Sequence, residues 1–140
     1  MVDHRQLGVD LFNGTWRLIE SREDDELMVG MAHASAFHWT RAPECKPENV
    51  ARGHWLLARV YTLVDRPEPA LHHATRCFEI CEADGLRDWD LAFAYEALAR
   101  AHRTAGNAAQ VERYRALAEG VEVADAEDRE LLAQDLATLS

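Results

Sequence analysis

The sequence predicts an all-α chain assembled from stacked helical hairpins, and three observations carry that prediction. Apolar residues recur at spacings of three and four along the chain, the period of a helix face, and no run alternates with the period of two expected of a half-buried strand. Caps and breakers divide this pattern into seven segments. Finally, Leu57, Ala58, Tyr61, Ala70, Ala74 and Cys77 return forty-one residues later as Leu98, Ala99, His102, Val111, Arg115 and Ala118. A single hairpin cannot bury its own apolar face, so duplicated hairpins imply a stack whose function resides on the surface that stacking creates.

The first helix is read from about Asp3 to Arg22. Ser21 followed by Asp24 has the form of a capping box, and the acids Glu23 to Glu26 suit the positive end of a second helix reaching about Arg41. Pro43 to Pro47 breaks the chain. A third helix starts near Pro47, where the missing backbone donor would be unpaired in any case, and runs to about Val64. Asp65 to Pro69 is a tight turn. The fourth helix spans Pro67 to Asp84 and stops at Gly85, a good left-handed terminator. Asp88 then caps a fifth helix ending at Gly106. Asn107 to Ala124 forms the sixth, and Asp125, followed by Glu127 and Asp128, opens a short seventh ending near Leu139.

With 140 residues, 48% of them hydrophobic, residues 1–140 have the size of one domain with a core that needs no staples. Fifteen basic against twenty-five acidic residues give a net charge of −10, which opposes non-specific association with nucleic acid or anionic lipid. The first thirty residues hold no apolar stretch of signal-peptide or membrane-spanning length, so a cytoplasmic protein is the expectation. Three cysteines, two of them in one predicted helix, read as reduced thiols rather than a disulfide framework.

The repeat resembles the tetratricopeptide repeat, whose first helix carries a large residue, Leu, a small residue and an aromatic, and whose second helix carries Ala and further small residues. His54, Leu57, Ala58, Tyr61, Ala70, Ala74 and Cys77 match one copy; Tyr95, Leu98, Ala99, His102, Val111 and Ala118 match the next. Ala58 and Ala99 stand where the family has Gly, no Pro closes either copy, and Arg115 replaces an apolar residue. A degenerate first copy places Leu18 opposite Tyr61 and Ala34 opposite Cys77. The resemblance implies a right-handed α-solenoid of about three antiparallel hairpins over Val9 to Ala124, with Asp125 to Ser140 as a solubilising, capping helix.

In that family the first helix of each hairpin lines a concave groove. Carried over residue by residue, the groove positions are Phe12 and Trp16, then Arg52, Trp55 and Arg59, then Glu96, Arg100 and Arg103. The resemblance implies a protein or peptide partner held by the arginines, whose guanidinium forks suit carboxylates, between Trp16 and Trp55. A structural alternative is that the arginines pair with Glu20, Glu79 or Glu96 and tie the hairpins together. Self-association into a homodimer through the first or last helix is a further expectation.

His73, Cys77 and Cys81 are spaced four apart on one helical face, a set of soft ligands suited to zinc, but Cys77 also stands where the repeat needs a small buried residue. His33 and His38 are five apart, which turns their side chains away from each other, and neither points clearly to His54. A small helical metal-dependent enzyme or sensor using these histidines and thiols is the alternative reading. No phosphate loop, nucleophile elbow, H-E-x-x-H or EF-hand pattern occurs. The expectation is therefore a binding module with no catalytic residues, metal or cofactor. Glycines scattered singly within the helices suggest close backbone contacts or local weakness, with Gly53 the leading candidate for a contact. Trp16, Trp39, Trp55 and Trp89 read mostly as core or half-buried packing elements, with a surface position after the Gly85 turn as the alternative for Trp89.

Overall fold

Caps set where the helices begin. In the computed structural model, which describes residues 1–139, Asp3, Asp24, Asn107 and Asp125 each accept a hydrogen bond from a first-turn backbone N–H. These residues open α1 (His4–Ser21), α2 (Asp25–Arg41), α6 (Ala108–Glu119) and α7 (Ala126–Ala137). Pro47 and Pro67 occupy the first turns of α3 (Pro47–Leu63) and α4 (Pro67–Asp84). The Asn49 side chain reaches back to accept from Lys46 N–H at 2.9 Å. α5 (Asp88–Thr104) completes seven helices, and no strand occurs among the described residues.

Three boundaries differ from the sequence reading. Ser21 belongs to the last turn of α1, and Asp24 alone caps α2. Asp88 is not the cap of α5 but its first residue; it sits at φ 58°, and its carboxylate accepts from Trp89 N–H at 2.7 Å and from Ala124 N–H at 3.2 Å. α6 ends at Glu119 rather than Ala124, with Gly120 at its cap. The chain beyond turns inward to bury Val123, and the Asp88 carboxylate takes up the Ala124 N–H that a longer helix would have used.

The helices pack as hairpins α1/α2, α3/α4 and α5/α6, with α2 against α3 and α4 against α5. α3 also packs on α5, and α5 on α7. Met28, Ala32, Leu56, Leu57 and Val60 fill the junction of the first two hairpins. Ala58, Ala70, Ala74, Ala97, Leu98 and Ala101 form the next junction, where small side chains allow the close approach expected of them. A pair of stacked rings occurs twice at one spacing: Tyr61 of α3 lies on His73 of α4, and forty-one residues on, His102 of α5 lies on Tyr114 of α6, at centroid distances of 5.9 and 5.6 Å. The same position is filled twice with the two ring types exchanged.

Gly53 is not the close contact expected of it, since an added Cβ would meet Ala36 at an ordinary 3.6 Å. The tight sites are Gly8, where a Cβ would lie 2.8 Å from the Trp39 ring, and Gly14, where it would collide with the Met31 methyl. Among the described residues, no helix is long and apolar enough to cross a membrane.

Candidate peptide-binding face

The first helices of the three hairpins are joined by a single row of aromatic rings. Trp16 of α1 meets Trp55 of α3 at 5.5 Å between centroids. Trp55 in turn meets Phe93 and Trp89 of α5 edge-on at 5.8 and 6.4 Å. Edge-to-face contacts of this kind add about 0.5–1.5 kcal/mol each beyond the area they bury. Trp89 is half-buried within this row rather than free on the surface, because α5 begins at Asp88 and directs it toward Trp55. The indole N–H of Trp55 is buried without a hydrogen-bond partner.

Arg52, one turn before Trp55, lies over the Trp89 ring at 4.7 Å and forms a two-pronged ion pair with Asp90, at 3.0 and 3.1 Å. Its side chain remains about one-third exposed. Beside it opens a cleft of about 180 Å³ between α1, α2 and α3, lined by Phe12, Asn13, Trp39, Asn49, Arg52 and Gly53. An apolar floor with a guanidinium and two amides at its edge can take an apolar side chain and orient the polar backbone beside it.

Toward α5 the chemistry changes. Glu96 is fully buried, and its carboxylate accepts from Arg100 Nε at 2.7 Å and from the Arg59 guanidinium at 3.3 Å. The two arginines, forty-one residues apart on α3 and α5, thus meet on one carboxylate contributed by α5. Arg59 also pairs with Asp135 of α7 at 3.1 Å. Arg100 donates to the Asp135 carbonyl at 2.9 Å and to the Thr138 hydroxyl at 2.7 Å. Two guanidiniums face two carboxylates, so the cluster closes electrically only with α7 in place. Arg103 lies exposed in the last turn of α5. Asp135 and Thr138 escaped the sequence reading because α7 carries no repeat position, and no local motif announces that it contacts Arg59.

The histidines assort in a way their spacing does not reveal. His33, His54 and His73, from α2, α3 and α4, gather around His73: its Nδ1 lies 2.9 Å from Nδ1 of His54, and its ring centroid is 5.8 Å from that of His33. His33 Nε2 is 2.7 Å from the Tyr61 hydroxyl. His38 is elsewhere, stacked on His4. Burial, with Arg76 and His72 nearby, lowers His54 to about 4, and burial among the other histidines does the same to His73. Cys77 and Cys81 lie apart from this group, packed with Ala51, Ile80 and Ala94, and a hydrogen bond with Cys81 together with burial pushes the Cys77 thiol well up. Among the described residues, no three His, Cys, Asp or Glu side chains are arranged to hold a metal ion.

Comparison of the chain with protein-family models, with curated proteins and with solved structures gives no match.

Proposed function

We propose that this chain is a non-catalytic protein-interaction module, a tetratricopeptide-like right-handed stack of three hairpins that binds a peptide or partner protein on the face made by α1, α3 and α5. The observation that carries this reading is the row of half-buried rings Trp16, Trp55 and Trp89 across all three first helices, seated on the buried Phe93, which leads to the cleft lined by Phe12, Asn13 and Arg52. Aromatic rings flanked by arginine are the composition of binding hot spots, because they bury much area at low entropic cost. The exchanged ring pairs Tyr61/His73 and His102/Tyr114 support the repeat reading. Binding is reversible: an apolar side chain of the partner enters the cleft, and Arg52 meets a carbonyl or carboxylate at its rim. Glu96 acts from beneath, holding Arg59 and Arg100 in place.

The test is capture of partners from a native lysate by the wild-type chain and by Phe12→Ala/Arg52→Ala, after the variant is shown to melt as a folded protein. Loss of one partner supports the reading; an unchanged set of partners overturns it. A homodimer is the second reading, favoured by the exposure of Leu27 and Phe37 on α2, at 49% and 52%. Sedimentation of the wild type beside Phe37→Ser decides it.

A further inference from the structure

α7 is bound to the rest of the molecule like a ligand. It packs on α5, and Arg59 reaches Asp135 from α3, four helices back. Leu132, Leu136 and Leu139 are buried to 5–6% in a cluster that includes Phe93 and takes in Trp55 at its edge. The polar contacts fall at the negative end of the helix: Arg100 donates to the Asp135 carbonyl, which also accepts from the Thr138 N–H and hydroxyl, and to Thr138 itself. Towards α6, by contrast, α7 leaves a cleft of about 350 Å³. The helix is acidic, with Glu127, Asp128, Glu130 and Asp135 against Arg129. At twelve residues it falls at or below the length of about 12–15 at which an isolated helix is even marginal in water, so the face that holds it also orders it.

We infer that the α3/α5 half of this face is a receptor for the C-terminal turn of an acidic amphipathic helix, that α7 is its occupant in cis, and that the partner protein presents a helix of the same chemistry. The pattern required is that of Leu132, Asp135, Leu136 and Leu139, with leucines on one side and a carboxylate beside them. The chemistry follows from the charges: Glu96 answers one of the two guanidiniums, and the second calls for a carboxylate from outside α3 and α5. This inference rests on the interaction-module reading and names the partner for it. The short connector 121–125 holds α7 at an effective concentration on the order of millimolar, so a partner helix binds weakly until α7 is displaced.

The experiment uses a fluorescein-labelled peptide of residues 122–139 and the full chain, either wild type or Leu132→Asp/Leu136→Asp to release α7. Fluorescence polarisation is expected to show binding at least about tenfold tighter to the released chain. The peptide carrying Asp135→Arg should lose at least about tenfold, and so should the released chain carrying Arg59→Glu with the unmodified peptide. A released chain that is folded by circular dichroism and binds no peptide overturns the inference. If the released variant does not fold, hydrogen exchange of the wild type decides: α7 amides exchanging well ahead of α5 amides support an exchangeable occupant, and the two exchanging together overturn it. Should the inference fail while capture sensitive to Phe12 and Arg52 persists, the interaction-module reading stands without it; failure of both removes both.

Discussion

Replacing Glu96 by Gln keeps the side-chain volume and removes one charge from a site with no access to water. Glu96 is 0% exposed, and the Arg59 and Arg100 side chains are only 13% and 14% exposed. Removing one partner from a buried ionic group costs about 3–5 kcal/mol, because the remaining charge stays buried. Here the arginines keep Asp135 at 3.1 Å and the end of α7 at 2.7 and 2.9 Å, which places the cost at the low end, about 3 kcal/mol. With an unfolding entropy of about 2.1 cal/mol/K per residue, the 140-residue chain should lose about 10 °C in Tm. Thermal unfolding followed by circular dichroism measures this directly. Glu79→Gln is the control, since its pair with Arg76 has exposed partners at 53% and 45% and should be worth less than about 1 kcal/mol. Equal shifts for the two variants, or a Glu96→Gln shift under about 3 °C, would refute the reasoning.

Gly30→Ala should raise stability by about 1 kcal/mol, because the residue is exposed within α2 and an added Cβ meets nothing within 4 Å. Gly8→Ala should lower stability by about 1–3 kcal/mol, because its Cβ would lie 2.8 Å from Trp39; denaturant midpoints separate the two signs. His54 and His73 titrate near 4 in the folded chain against an ordinary 6.5, so the unfolded chain binds more protons between these values. Their contribution to stability is therefore fully present above about pH 6.5 and declines as the pH falls towards about 4. His54→Gln/His73→Gln should flatten the denaturant midpoint across that window, and an unchanged slope would contradict the assignment. Iodoacetamide should alkylate Cys45 slowly in the folded chain and leave Cys77 and Cys81 untouched until denaturant is added, as mass spectrometry would report, since Cys45 alone is only partly covered.

The helices were legible in the sequence because their ends are chemical: Asp3, Asn107, Asp125, Pro47, Pro67 and Gly85 act through their own backbone neighbourhood. Tyr61 and His102, forty-one residues apart in the recurrence, each stack on a ring of the following helix, His73 and Tyr114, that the recurrence did not include. Where the reading went astray, the deciding contact is remote in sequence. Gly8 is tight because Trp39 crosses it, and α6 ends early because Asp88, thirty-six residues away, accepts from Ala124. Likewise, the resemblance implies equivalent groove positions for Arg59 and Arg100 but is silent on Asp135, which approaches from α7. Spacing along single helices could not bring His33, His54 and His73 together, since each comes from a different one.

Binding on the first-helix face is tested most directly by photo-crosslinking in a native lysate. A photoreactive phenylalanine analogue is placed at Phe12, in the cleft of α1, or in a separate protein at Thr75, exposed on α4. The account predicts a discrete crosslinked partner from the first position, competed by excess unlabelled chain, and none from the second. Crosslinking from Thr75 alone, or equal non-competed products from both positions, would contradict it.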